Sequence, residues 1–254
     1  MLDPRELADV AEIFGASEEQ IRRDHLLSHI LHALTRLDVP VVVFGGTALA
    51  HTHLPHGRLS EDVDLYAPGR RQIAAVLDEG LPKLLSREFP GILWDPSLTM
   101  VREVLPGGLV SREGLRVRLQ LLEADHEYQK WPTEVRALEM RYSDVPSTAL
   151  RVPTLLGFVA QKTTAWVDRA AERDLYDLAA LAKLNALTVE AAQLVHHVTG
   201  WTVTPRSFDK LPRFEWHAQL AHQTRDLPYP EECLDIVRKA YANALGWHHD
   251  SPWD

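Results

Sequence analysis

Between residues 18 and 37, apolar side chains return every three or four positions: Ile21, Leu26, Leu27, Ile30, Leu31, Leu34 and Leu37. That period puts them on one face of an α-helix. Ser17, followed three residues later by Gln20, resembles a capping box, and Val39-Pro40 ends the helix. A shorter helix is predicted over 4–14. The pattern then becomes a continuous apolar run over 41–44, as in a buried strand. Gly45-Gly46-Thr47 follows, and Ala48, Leu49 and Ala50 read as the first turn of a helix. A loop leads to a strand in which Asp62 and Asp64 alternate with Val63 and Leu65. Residues 70–87 return to a helical period, weakened in the middle by Gly80 and Pro82.

From 91 to 123 the pattern predicts short strands over 92–94, 99–105 and 115–122, with Pro106-Gly107-Gly108 as a hairpin turn. In the last strand Leu115, Val117, Leu119 and Leu121 alternate with Arg116, Arg118 and Gln120, which gives one apolar and one polar face. Pro132, Pro146 and Pro153 interrupt the stretch from 131 to 153, and a domain boundary is placed there. The expected organisation is a strand-containing domain over 1–145 and a helical domain over 146–254. Helices are predicted at 154–168, 173–184, 188–198, 204–225 and 231–245, and the tail from 246 reads as a frayed end. The class is α+β: a mixed sheet flanked by helices, then a helical C-terminal domain.

Composition changes this picture only at the edges. With 45% apolar and 25% charged residues, the 254-residue chain has an ordinary globular balance and room for one large domain or two smaller ones. The formal net charge of −9 excludes generic nucleic-acid binding, so any nucleic acid must meet a local basic group. Arg102, Arg112, Arg116 and Arg118 form one such group, and Arg206, Lys210 and Arg213 another. Cys233 is the single cysteine, so no intramolecular disulfide forms. No apolar run approaches the ~20 residues of a membrane span, and MLDPRELADV lacks a secretory pattern. A cytoplasmic protein without membrane contact is expected.

The chemistry lies in two stretches. Successive strand side chains point to opposite faces, so Asp62 and Asp64 share one face. Two carboxylates so close repel unless a cation sits between them, and a divalent metal held by oxygen is the usual one. The glycine turn offers main-chain N–H groups to an anion. Together they suggest a nucleoside triphosphate bound with magnesium. In the second stretch Lys162 lies among Phe158, Val159, Ala165 and Trp166, and a phosphate is one possible partner. Asp174 and Asp177, three apart, fall on one side of a helix, with Arg169 and Arg173 before them. From the residues alone, a snorkelling lysine and solvated carboxylates are the simpler account. His51, His53 and His56 lack a carboxylate pair at metal-binding spacing and read as ordinary loop histidines. His196-His197 and His248-His249 read the same way. Gly-Gly-Thr lacks the third glycine of a dinucleotide fingerprint.

FGGTALA at 44–50, RLSEDVDL at 58–65, and Lys162 followed by Arg169 and RDLYDL at 173–178 resemble the AbiEii/AbiGii-type nucleotidyltransferases. These are the toxins of abortive-infection and MenT-like toxin–antitoxin systems, within the DNA polymerase β-like superfamily. The resemblance covers about residues 20–185. It implies that Gly45, Gly46 and Thr47 hold nucleotide phosphates and that Asp62 and Asp64 hold magnesium. It implies that Lys162 contacts the triphosphate and that Asp174 is the essential aspartate of the later motif, with Asp177 beside it. Arg58 and Ser60 would flank the metal site. The implied reaction moves a nucleotide from a nucleoside triphosphate to RNA, with the 3′ end of tRNA as acceptor and a cognate antitoxin as partner. A small-molecule or protein acceptor, or an inactive nucleotide-binding module, is the alternative. One departure stands out. The superfamily commonly supplies a third carboxylate from a later strand, whereas the polar face of 115–122 offers Gln120, with Glu123 just beyond and out of phase.

Overall fold

The computed structural model describes residues 2–125, 127–213 and 215–247. Most of the tail from 246, including His248-His249, lies outside the described residues. Two compact units result: Met1–Gln129 with Thr133–Val152 and His222–Arg225, and Lys130–Pro132 with Pro153–Ala221 and Asp226–Asp254.

The first unit is built on the periodic helix. Helix α1 (Pro4–Phe14) starts at Asp3, whose side chain accepts from the Arg5 N–H, and ends at Gly15 with φ 64°. Helix α2 (Glu18–Leu37) starts at Ser17, whose hydroxyl accepts from the Gln20 N–H at 3.3 Å. The Gln20 side chain reaches the Ser60 carbonyl instead of closing the box. Strand β1 (Val42–Phe44) runs into the short helix α3 (Gly45–Ala50), and β2 (Asp62–Ala67) leads to α4 (Arg70–Leu85), which continues through Pro82. Strands β3 (Leu93–Trp94), β4 (Gly107–Val110) and β5 (Arg116–Glu123) complete the sheet. Its order is β1-β2-β5-β4-β3, with β2 and β5 parallel and the other pairs antiparallel. Val63, Leu65, Val117, Leu119 and Leu121 are fully buried, as are Leu26, Leu27, Ile30 and Leu31 of α2 and Leu77 and Leu81 of α4. Strands β6 (Thr133–Ala137) and β7 (Ala149–Pro153) pair separately.

Two expectations fail here for physical reasons. Residues 99–105 form turns, not a strand. The Asp78 carboxylate accepts from the Leu98 and Thr99 N–H groups, and Arg70 donates to the Leu98 and Val101 carbonyls, so this backbone is held by side chains. Pro106-Gly107-Gly108 is not a hairpin turn, because Gly107 and Gly108 open β4. A Cβ on Gly108 would lie 2.6 Å from the Asp95 carbonyl, so glycine permits the close approach of neighbouring backbone.

The second unit is helical: α5 (Leu155–Arg169), α6 (Glu172–Lys183), α7 (Val189–Thr199), a 3-10 turn (Pro205–Phe208), α8 (Trp216–Leu220) and α9 (Pro230–Ala244). Helix α5 packs on α6 and α7, and α6 packs on α8 and α9. Phe208 stacks between Trp166 and Tyr241, at ring distances of 6.2 and 5.4 Å. The helix expected over 204–225 is not continuous. Pro205 opens only a four-residue 3-10 turn, Pro212 lies in the irregular segment that follows, and residues 222–225 belong to the first unit. Among the described residues no helix is long and apolar enough to cross a membrane.

Candidate active site

In the first unit the alternation of β2 and β5 brings four polar side chains to one sheet face. The parallel register sets Asp62 beside Arg118 and Asp64 beside Gln120. The Arg118 guanidinium forks onto Asp62, with Nε donating to Oδ1 at 2.6 Å and Nη2 to Oδ2 at 2.8 Å. That bond, with the charges of Asp62, Glu61 and Asp64, raises the Arg118 pKa above its ordinary value. Arg118 was read as part of a basic group for nucleic acid, but here it compensates the paired carboxylates. Arg116 likewise engages Asp95, at 2.7 Å.

The glycine pair lies against these carboxylates. Gly45 has φ 72°, a conformation that L side chains rarely adopt, and a Cβ there would overlap the Asp64 carboxylate. A Cβ on Gly46 would come within 2.7 Å of Arg58 Nη2 and 3.3 Å of the Ser60 hydroxyl. The glycines, Asp64, Arg58 and Ser60 therefore converge. Thr47 is fully buried and its hydroxyl donates to the Asp62 carbonyl, which ties α3 to β2. Arg58 is 5% exposed, and its Nη1 donates to Gln223 Oε1 at 2.8 Å and to the Leu59 carbonyl. Gln223 also donates to Glu61. Nothing in the sequence pattern points to Gln223, because its pairing with Arg58 spans 165 positions.

Gln120 and Glu123, the two positions weighed for a third carboxylate, stand in different surroundings. Gln120 stands in register with Asp64 on the same face. The Glu123 carboxylate accepts from the N–H groups of Gly69 and Arg70 at 2.7 and 2.9 Å. It caps the start of α4, where a negative charge is favoured. Tyr66, two positions beyond Asp64, sits with Phe44 and Tyr128 at ring distances of 5.4 and 4.9 Å. Burial, with the neighbouring Tyr128, pushes its hydroxyl up to about 12. The buried hydroxyl of Tyr66 has no hydrogen-bond partner among the described residues.

The second unit brings Lys162, Asp174 and Asp177 together. Lys162 Nζ lies 3.1 Å from Asp174 and 2.7 Å from Asp177. Arg169 donates to both Asp174 oxygens, at 2.8 and 3.1 Å. Asp174 is fully buried, and Lys162 and Asp177 nearly so. Burial alone would raise the Asp174 pKa, but the charges of Lys162 and Arg169 hold it below the ordinary value. The sequence-level alternative of a snorkelling lysine and solvated carboxylates does not describe this cluster.

Of the loop histidines, His51 is buried. Its Nδ1 faces the Glu139 carbonyl at 2.9 Å and its Nε2 faces Arg141 at 3.3 Å, the pattern of a neutral imidazole. Burial and Arg141 push its pKa down to about 4.

A model of the family described as "Nucleotidyl transferase AbiEii toxin, Type IV TA system" matches residues 29–244. The chain belongs to the AbiEii family. The match includes every site residue named above, so this AbiEii chain is a nucleotidyltransferase toxin by family. Its fold is also similar to MenT4, a nucleotidyltransferase toxin from Mycobacterium tuberculosis H37Rv. The TM-score is 0.67 at 20% identity, over 96% of this chain and 91% of that one. JHP933 from Helicobacter pylori aligns at TM-score 0.55 and 19% identity, over 90% and 93% of the two chains. No curated protein matches the AbiEii chain.

Proposed function

We propose that this AbiEii-family chain transfers a nucleotide from a nucleoside triphosphate to an RNA hydroxyl, with the tRNA 3′ end as acceptor, supported by Mg2+. The observation that carries the reading is the approach of Gly45 to Asp64, which sets a side-chain-free turn directly against the paired carboxylates. The donor set fits a hard divalent cation, because Asp62 and Asp64 offer carboxylate oxygens from one strand face. Bound there, Mg2+ would neutralise phosphate charge and help orient the reacting oxygens.

The chain's own residues do the remaining work. Gly45, Gly46 and Thr47 present main-chain amides to the phosphates, and the missing side chains let Asp64 and Arg58 close in beside them. Arg58, braced by Gln223, adds positive charge beside Gly46, and Ser60 adds a hydroxyl. Lys162 is assigned to the triphosphate on its matching motif, with Asp174 and Asp177 fixing its ammonium. The acceptor hydroxyl oxygen bonds to the α-phosphorus, the bond to the bridging oxygen breaks, and pyrophosphate leaves. With Gln120 in the third position and both Asp174 oxygens engaged by Lys162 and Arg169, the hydroxyl proton goes to solvent. Positioning and electrostatics supply most of the rate.

The test is transfer of label from each α-labelled triphosphate to total RNA with magnesium, followed by sizing of the product. Labelled tRNA, with at least an about 100-fold loss in Asp62→Asn and Asp64→Asn, is expected. Label on protein or a small molecule would replace the acceptor, and labelling that survives both substitutions would overturn the site. The family setting implies a cognate antitoxin. Its co-expression should relieve growth arrest by the wild-type chain in the cytoplasm.

A further inference from the structure

The first unit holds a second group of ligating side chains away from the β2 carboxylates. His25 and His29 lie four apart on α2, so both rings project from one helix face. Asp144, in the segment before β7, meets them. Asp144 Oδ2 lies 3.2 Å from His25 Nε2 and 3.6 Å from His29 Nε2, and the two Nε2 atoms are 3.2 Å apart. The shortest contact, 2.9 Å from His25 Nε2 to Asp144 Oδ1, is an ordinary hydrogen bond. The same Nε2 also faces the second imidazole nitrogen, so three ligand atoms converge on one point. A tetrahedral zinc ion with bonds of about 2.0–2.1 Å separates its ligand atoms by about 3.3 Å, close to all three edges observed.

We infer that His25, His29 and Asp144 form a binding site for a borderline transition-metal ion, with Zn2+ the best match. Two imidazole nitrogens and one carboxylate oxygen are the ligand types such ions favour. His25 and His29 are 4% and 6% exposed, and the rings of Phe89 and Tyr142 flank them, which limits competing water. His25 also lines a cavity of about 880 Å³ bordered by Glu18, Arg22, Phe89 and Arg112. The ion would join the middle of α2 to the segment carrying Tyr142 and Asp144. Its role is therefore to fix the first unit, independent of nucleotide transfer.

The experiment uses the untagged full chain, stripped with a chelator. Zn2+ is titrated by calorimetry, and Co2+ is followed by its visible d–d absorption. One equivalent should saturate the site, give the intense bands of tetrahedral Co2+ and raise the melting temperature. His29→Gln and Asp144→Asn should each weaken binding by at least about 10-fold. The bands should persist when Asp62 and Asp64 are both changed to Asn. No bands with the wild-type chain, bands unaffected by both His29→Gln and Asp144→Asn, or bands lost with the Asp62/Asp64 pair would each overturn the assignment. Circular dichroism identifies a variant that fails to fold. Asp144, the most exposed ligand, then decides together with the wild-type spectrum.

Discussion

The molecule holds its acidic motif residues in two different ways. On the sheet face of the first unit, Asp62 is paired with Arg118, whose side chain is 52% exposed. In the helical unit, Asp174 is 0% exposed and is gripped by Lys162, itself 8% exposed, and by Arg169. A charge pair near water gains little and gives up little when its partner leaves. A buried charge cannot lose its partner without a large desolvation cost. The first arrangement suits carboxylates whose counter-ion can be exchanged. The second suits a fixed arrangement that holds a lysine in place.

That contrast can be broken most directly in the buried cluster. Lys162→Met should cost about 3–5 kcal/mol of stability in urea unfolding, because two buried carboxylates would lose the cation they share. A loss below about 1 kcal/mol would show that the cluster tolerates solvent. A second buried polar group tests whether the first unit also holds charge-sensitive interior sites. The folded pKa of His51 is about 4, below its ordinary 6.5, so the unfolded chain takes up the proton first as pH falls. Stability should be full above pH 6.5 and fall by up to about 3 kcal/mol as pH drops towards 4. His51→Gln should flatten that slope in urea midpoints measured across the range.

Smaller effects sharpen the contrast on the exposed side. Gly45→Ala should cost about 1–3 kcal/mol through its left-handed backbone, and should also lower label transfer, because the new methyl displaces Asp64. Equal stability with full activity would remove the turn from the site. The smallest change in stability is expected for Arg118→Ala, below about 1 kcal/mol. On the proposed reading it also lowers the magnesium concentration needed for half-maximal transfer, since a competing cation is gone. A higher requirement would mean that Arg118 serves the substrate instead.

Much of this was readable from the chain. The Leu and Ile spacing of α2, the alternation of β2 and the alternation of β5 survive because each records which side faces the core. Asp62, Asp64 and the glycine pair are close in sequence, so their convergence needed only local geometry. Lys162 and Asp174 are two helix turns and a short connection apart. What stayed hidden depends on distant partners. Arg118 looked like one more basic residue until the parallel register put it beside Asp62. Gln223 fell within an expected helix, yet it braces Arg58. Gly107-Gly108 carried the composition of a turn, but close backbone packing requires those glycines in a strand. His25 and His29 fall inside the helix predicted over 18–37, and Asp144, 119 positions from His25, is the distant partner that brings them together.

The cap that Glu123 places on α4 also constrains how this lineage could gain a third carboxylate. Recruiting Glu123 would strip two main-chain amides of their acceptor and unravel a helix start. The economical route is a single codon change on the strand, Gln120→Glu, which adds an acid beside Asp64 and leaves the cap untouched. On the proposed reading, faster transfer in that variant would show that the neutral amide at position 120 limits the rate.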